Sequence, residues 1–576
     1  MGIPSYFYEI IRRYGDRFFG ISFGSSSVGR LFLDLNCCIH GCKNRVLQKW
    51  KNKISSGNRH FLISSKLENQ EENDSFENDV IKEVIDTILR FCKETQPTDL
   101  IYIAVDGVVP VAKMKQQRER RLRAVETREE IRRIYECNDR EPPIEWDSNA
   151  ITPGTNFMKK LCYSIKQYLN YISEITKVEN IILNDVNSPG EGEQKIFTYM
   201  RTNPGRDESK EDIIYGLDAD LIILSILQKI MGEQYSPIAL LREKQAFGKL
   251  VKNNLGEDEL IRFKVSEFAD IIPDEWGGGS CDAKKEQLLC DYVILMSLMG
   301  NDFVPHTPSL TFRTEGTERL LDAYRRVGKL ILSQDDTPGE DRFIINWKVI
   351  ADILSYLEPQ EHIILKDEEE KIEKIQTRIL SGQIPYRHSI VEDPVEQDIL
   401  AMDWEHIRYH SSLADKSDWR DIYYNRICGS RGEWSSTKEI TQRVVMEYQR
   451  SIMWCWEYYS GYDVAADKYY PYVSGPLLGD IIEYFNKIGV TPVGSGGEPS
   501  FKVDNIPEDV QLIIVLPPQS HHLLSKKAKG LAKYCYDLYP DVFMFWDYCK
   551  KHEWEREGFL PQLPIRRIVD AFKESI

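Results

Sequence analysis

The chain has 576 residues, 42% of them hydrophobic and 29% charged. At about 150 residues per domain this implies two to four globular domains and excludes a wholly disordered or fibrous protein. With 74 basic residues against 91 acidic ones the net charge is −17, so a protein that coats nucleic acid nonspecifically is excluded and any such contact must be local.

The opening MGIPSYFYEI lacks the basic and apolar regions of a signal peptide, and Tyr6 stands where a myristoylation pattern needs Ser or Thr. Strand-like runs follow at 30–35, 99–105, 178–183, 212–217 and 236–241. They are continuous rather than alternating, as expected of strands covered on both faces. Helical patterns at 79–93, 111–137, 155–173 and 190–201 lie between them. The first half therefore predicts an α/β domain on a parallel sheet. Polar inserts at 64–79, 201–211 and 273–286, the last marked by Gly277-Gly278-Gly279, predict surface loops.

The longest apolar runs, 221–227 and 292–300, are too short to cross a bilayer, so no membrane partner is expected. The 12 cysteines form no CxxC pair, which speaks against structural zinc and for a reducing, cytoplasmic setting. Near 330 the texture changes. The charged stretch 367–380 reads as a solvated helix in a segment with few core-like runs. From about 400 Trp and Tyr accumulate, among them Trp404, Trp419, Trp434, Trp454, Trp456, Trp546 and Trp554. The reading is an α/β domain over 1–330, a connector over 331–400 and a mixed, aromatic-rich region over 401–576.

Four of the apolar runs lead into acids: Asp34, Asp106, Glu191 with Glu193, and Asp218 with Asp220. Ligands of an open parallel sheet sit beyond the carboxyl ends of its strands. Asp218 and Asp220, two apart, are expected to leave an extended backbone on one face. Pro189-Gly190 puts Glu191 in a turn and Glu193 in the first turn of a helix, where negative charge is favoured. A seventh acid, Asp302, follows the apolar helix 291–300. Any one of these reads as a turn former or helix cap. Seven at one pole would repel unless cations neutralised them. Oxygen ligands in that number select Mg²⁺ or Mn²⁺, and two ions about 4 Å apart suit in-line phosphoryl displacement.

Beyond Asp106, residues 113–123 hold six basic side chains against the single acid Glu119. On a helix Lys113, Gln117, Arg120 and Arg121 share a face. Most charge runs are solvated faces, but guanidinium forks one turn from a metal-binding acid suit a phosphate clamp. An acidic protein with such a clamp beside such acids has the design of a nuclease that grips a phosphate end.

The strings MGIPSYF, LDLNCCIH, AVDGVVPVAKMKQQRERRLR, ITPGTNFM, SPGEGEQK, YGLDADL and GNDFVPH, with VLPPQSHHLL at 515–524 and DLYPDVFMFWD at 537–547, resemble the Xrn-type 5′→3′ exoribonuclease family. The likeness runs in patches from residue 1 nearly to 576, as for the family's catalytic core without its long C-terminal extension. It implies that Asp34, Asp106, Glu191, Glu193, Asp218, Asp220 and Asp302 are metal-binding acids and that Asn36 is the Asn of an LDxN motif. It further implies that Lys113, Gln117, Arg120 and Arg121 form a 5′-monophosphate pocket and that His40 stacks on the terminal base.

One departure stands out. The family has a Trp-rich stretch before a Tyr-Tyr-Pro-Tyr run, one Trp of which sandwiches the bases with the His. Here Tyr469-Tyr470-Pro471-Tyr472 follows Ala465-Ala466-Asp467-Lys468. Either Trp454, Trp456 or Tyr462 substitutes, or stacking is weaker; a Trp at Ala466, the nearest aligned position, is expected to lengthen the processive run.

The resemblance implies a monomeric, Mg²⁺- or Mn²⁺-dependent 5′→3′ exoribonuclease using two ions. Its substrate would be single-stranded RNA with a 5′-monophosphate, such as decapped messenger RNA, with the decapping machinery as partner. Two alternatives stay open: a flap-type DNA nuclease, against which no helix-hairpin-helix glycine pattern follows the last acids, and a catalytically inactive RNA-binding scaffold.

Overall fold

The protein, in a computed structural model, is described over residues 6–20, 27–55, 70–142, 145–246, 249–252, 256–276, 285–334, 343–383, 391–405, 413, 415–428, 436–493, 501–535, 538–539, 544–545, 556–558 and 560–574. The opening MGIPS, the glycine run 277–279, Trp434, Trp546, Trp554, most of 537–547 and the side chain of Trp404 lie outside that description.

A seven-stranded sheet forms the centre. Its order is Phe19–Gly20, Leu260–Phe263, Ile238–Glu243, Lys210–Tyr215, Ser27–Asp34, Leu100–Ala104 and Ile181–Asn184. The last five are parallel; Leu260–Phe263 and Phe19–Gly20 add an antiparallel edge. The five parallel strands coincide with the five continuous apolar runs; the inner four are covered on both faces, and the edge strand Ile181–Asn184 is half-buried throughout. From the central strand Ser27–Asp34 the chain builds outward on one side, then returns to build on the other, so a topological switch point lies at Asp34.

Helices Leu35–Ser55, Gln70–Thr95 and Asn156–Thr176 pack on one face of the sheet. The other face is covered by Asp220–Met231, whose residues 220–228 are all buried. That helix is apolar all round because the second region encloses it: its core continues without a break into Trp347, Tyr448, Trp456 and Phe485. A third cluster joins Val108, Val111 and Met114 to the C-terminal segments Val510–Leu516 and Ile565–Phe572.

Three local expectations are corrected. The insert 64–79 is helical from Gln70 onward, since Phe76 and Val80 dock into the core. The 331–400 stretch is not poor in core: Phe343–Asn346 pairs with Leu332–Gln334 and Val490–Val493, and Trp347–Leu354 buries six of its eight residues. The charged helix, Glu358–Leu380, is not wholly solvated. Glu361, Leu365, Glu369 and Ile372 form a buried stripe at helical spacing, and Glu369 accepts the Leu413 N–H at 2.7 Å. Among the described residues no helix is long and apolar enough to cross a membrane.

Candidate active site

The seven acids meet at the carboxyl pole of the sheet. Asp34 is the last residue of the central strand, and Asp106 lies two residues beyond its neighbour Leu100–Ala104. Glu191 is the N-cap of helix Gly192–Thr202, and Glu193 lies in its first turn. Asp302 follows helix Lys285–Leu298. The extended-backbone expectation for Asp218 and Asp220 does not hold. Strand Lys210–Tyr215 ends early, the chain turns with Ala219 already in the right-handed helical region, and Asp220 is the first helical residue. The two acids remain close enough that Asp218 raises the Asp220 pKa.

Main-chain bonds set the spacing. Gly107 N–H donates to Gly190 O at 2.9 Å and Gly190 N–H to Val108 O at 2.6 Å, clasping the Asp106 loop to the Glu191 loop. A Cβ on Gly107 would collide with the Ser188 carbonyl, so glycine permits the approach. Gly192 N–H donates to Asp106 Oδ1 at 2.6 Å, and a Cβ there would stand 2.6 Å from Asp34 Oδ1. Asn36 completes the frame. Its Nδ2 donates to Asp106 Oδ2 at 2.7 Å, and its Oδ1 accepts the Asp106 N–H at 3.1 Å.

The charges are crowded. Burial, then Asp106 and Asp218, push Asp34 well up; burial, then Glu191, Asp220 and Asp218, do the same to Glu193. Asp220 is raised to about 7 by burial and by Asp302. Buried oxygens Oδ1 of Asp34, Oδ1 of Asp220 and both Oε of Glu193 have no hydrogen-bond partner among the described residues. Such a donor set fits a hard divalent cation in chemistry and charge. As the side chains stand, no group of three His, Cys, Asp or Glu among the described residues converges on one ion position.

The reason is visible in what the acids already hold. Lys113 Nζ lies 2.6 Å from Glu191 Oε2 and donates to Asp302 Oδ2 at 2.8 Å. Burial would raise Asp302, but the charge and hydrogen bond of Lys113, together with further positive charge that includes Arg120, outweigh it and hold the carboxyl at about 2. Tyr458 donates to Glu191 Oε1 and Tyr459 to Asp220 Oδ2, each at 2.8 Å. Both phenols come from helix Thr437–Ser460 of the second region. Neither was anticipated, since nothing in local spacing links them to the strand ends. Lys195 was also missed: its ammonium ties Val105 O at 2.7 Å to Asp185 O at 2.8 Å, and burial lowers it to about 8.

The basic helix spans Val111–Cys137. Gln117 and Arg121 are buried on it, with Gln117 Oε1 and Arg121 Nη1 unpartnered, and Arg120 is exposed beside them. Burial and the Arg120 charge lower Arg121 to about 9. Lys113, expected with these three, instead reaches the acids. His40, one turn after Asn36 on helix Leu35–Ser55, faces them. It is exposed, yet the surrounding protein and then Arg120, Lys43 and Arg121 lower it to about 3, so the ring is neutral.

The candidate substitutes for the absent Trp are mostly engaged elsewhere. Trp456 is 1% exposed. Trp454 is stacked on Tyr458 with ring centroids 5.0 Å apart, edges onto Phe303 and donates to Ala465 O at 3.0 Å. Of those rings, Tyr458 bonds to Glu191 and Phe303 lies beside the Lys113 ammonium. Tyr462 is half-buried. Ala466 itself is 0% exposed in the third core cluster, its carbonyl accepting the Val111 N–H that begins the basic helix.

Comparison with known proteins adds to this geometry. Residues 1–244 match the model of the XRN 5′-3′ exonuclease N-terminus and residues 282–393 that of the Xrn1 helical domain, together more than half of the chain. The chain is 26% identical to a protein named 5′-3′ exoribonuclease 2 of Arabidopsis thaliana, over 86% of this chain and 59% of the relative. It is 25% identical to 5′-3′ exoribonuclease 1 of Homo sapiens, over 94% and 32%. With 5′-3′ exoribonuclease 1 of Saccharomyces cerevisiae the figures are 30%, over 62% and 22%. The chain thus spans between 22% and 59% of the length of these relatives.

Proposed function

The chain belongs to the XRN 5′-3′ exonuclease family, and on that premise we propose that it hydrolyses single-stranded RNA from a 5′-monophosphorylated end, releasing 5′-mononucleotides. One juxtaposition supports the reading: the unpartnered Nη1 donor of buried Arg121, with the Gln117 amide on the same helix face, stands beside the pole where the seven acids gather. Arg120 and Arg121 offer planar forks to the free oxygens of a terminal phosphate. A phosphate seated there at a fixed distance from the acids makes each cut fall one nucleotide in. His40, neutral among cations, offers a ring face to the terminal base without adding charge. A cap masks the oxygens this seat needs, so decapped messenger RNA is the substrate class and a cap-removing activity its supplier, in the cytoplasm.

Asp34, Glu193, Asp220 and their neighbours would hold two ions of Mg²⁺ or Mn²⁺, which when bound supply a water of lowered pKa and neutralise phosphoryl oxygens. Asn36 and the Gly192 N–H orient Asp106; Tyr458 and Tyr459 orient Glu191 and Asp220.

The test is digestion of end-labelled RNA bearing a 5′-monophosphate, triphosphate or cap, with and without Mg²⁺. Stepwise release of mononucleotides from the monophosphate alone, and only with Mg²⁺, is expected. Equal digestion of all three ends, cleavage confined to DNA flaps, or no cleavage at all overturns the reading.

A further inference from the structure

Lys113 stands apart from the face it shares with Gln117, Arg120 and Arg121. It is 8% exposed, and its ammonium bridges Glu191 and Asp302 at 2.6 and 2.8 Å, with the Phe303 ring 5.8 Å away. Gln117 stands one turn and Arg121 two turns further along, and Gln117 Oε1 and Arg121 Nη1 are buried without partners among the described residues. The helix that carries all four is a rigid rod, and a turn of it advances only about 5.4 Å. A lysine ends in a point charge on a four-carbon flexible stem, unlike the planar arginine forks beside it. From one Cα it can reach either the acids or an anion seated against Gln117 and Arg121.

We propose that Lys113 is a shared counter-ion, held by Glu191 and Asp302 until a divalent cation takes those carboxylates and then given to the terminal phosphate of the substrate. The inference rests on the reading of the acids as cation ligands and of the basic face as a phosphate seat. It adds that the two sites are thermodynamically coupled through this side chain. A cation arriving at Glu191 and Asp302 must displace the ammonium, which then has no anion unless a phosphate is present. A phosphate that draws the ammonium away leaves two carboxylates without their partner, and they bind a cation more tightly. Each ligand therefore raises the affinity of the other by the same factor. The consequence is selective: cations are held firmly only where a 5′-phosphorylated end is present, and an RNA lacking that phosphate leaves the lysine on the acids.

The coupling is read without turnover. Mn²⁺ binding to the full chain is followed by loss of the free-ion paramagnetic resonance signal, alone and with a short single-stranded phosphorothioate RNA ending in 5′-phosphate or in 5′-hydroxyl. The two strands differ only at the end, so effects of the backbone cancel. In the unmodified protein the 5′-phosphate strand is expected to tighten Mn²⁺ binding about 5- to 150-fold over the 5′-hydroxyl strand. In Lys113→Met, Mn²⁺ should bind more tightly than in the unmodified protein without RNA, and equally with either strand. Lys113→Arg, which keeps the charge, should retain part of the coupling.

Equal Mn²⁺ affinity with both strands in the unmodified protein overturns the inference and needs no variant to be seen. Undiminished coupling in Lys113→Met also overturns it, since the phosphate would then be acting on the cation directly. Either result leaves the exonuclease reading standing if RNA is still digested from a 5′-monophosphate. No Mn²⁺ binding at all would remove the cation site itself, and with it both proposals.

Discussion

Tyr459 donates its phenolic hydrogen to Asp220 Oδ2 over 2.8 Å, although 239 residues separate the two in the chain. The second region therefore reaches into the site rather than merely bracing it. Partners that orient a metal-binding carboxylate typically matter by about 10- to 100-fold in affinity or activity. Tyr459→Phe keeps the buried ring and removes only the donor. Mg²⁺ titration of single-turnover cleavage should show a loss in that range with RNA binding unchanged. A wild-type titration would reduce the phenol to a packing role.

Asp218→Ala or Asp220→Ala should abolish hydrolysis and leave RNA binding largely intact, because removing one acid spoils the geometry for in-line attack. Filter binding beside a cleavage time course separates the two. Near-normal turnover in saturating Mg²⁺ would show that these acids hold no essential ion.

Replacing Arg120 and Arg121 together by Ala should erase the preference for 5′-monophosphate over 5′-hydroxyl RNA. Arg121 is buried with Nη1 unpartnered among the described residues, so on the proposed reading a phosphate would supply the charge-assisted bonds it lacks. Competition between the two RNAs measures this. Equal losses on both substrates would mean that the helix attracts backbone phosphates only.

The sequence comparison invites a Trp at Ala466, but the structure reverses the expected result. Ala466 is 0% exposed and packed among Val108, Val111 and Met114, whose segment begins the basic helix. Forcing an indole there overpacks the core, at a cost of about 1–3 kcal/mol or more. Ala466→Trp should lower the urea midpoint and shorten, not lengthen, the processive run against a trap.

Glu361 gives a prediction about pH and stability. It accepts the Leu478 N–H and the Ser309 hydroxyl at 3.1 Å, yet burial raises its pKa from 4.5 to about 7. The folded state thus keeps a proton that the unfolded chain releases. That share of stability is fully present below about pH 4.5 and lost as pH rises through about 7, amounting to about 3 kcal/mol. Glu361→Gln keeps an acceptor and has no charge to bury. Its urea midpoint should exceed that of the unmodified protein above pH 7 and fall below or equal it near pH 4.5. A constant difference across that window would refute the assignment.

The sheet was legible because each of its parallel strands is apolar on both faces, which leaves a continuous run such as 99–105 or 212–217. Asp34 and Asp106 were legible because they follow such runs directly and Glu191 because the turn after a third run leads into it, and a parallel sheet brings those ends to one side. The local path after Tyr215 was not, since nothing in YGLDADL shows that the strand stops before the first Asp. Tyr458 and Tyr459 were beyond reach for a different reason. Their partners lie hundreds of residues away, and a Tyr pair on an aromatic helix looks the same whether it meets a carboxylate or a neighbour's ring. Lys113 was placed on the correct helix face, but a flexible lysine's partner is set by whichever anion its stem can reach. The stretch around Trp347 was passed over because its apolar residues are interrupted by Lys and Asp, although in the fold they form one buried helix side.

The clasp between Gly107 and Gly190 has a consequence for redesign. Because reciprocal main-chain bonds join the two loops, the gauge between Asp106 and Glu191 is written in backbone, not in side chains. Mutagenesis at the pole can change what charge it carries without changing how far apart those two carboxylates stand. If the pole holds cations as proposed, refitting it to a larger one such as Ca²⁺ would have to begin at Gly107, where any side chain meets the Ser188 carbonyl and pries the loops apart.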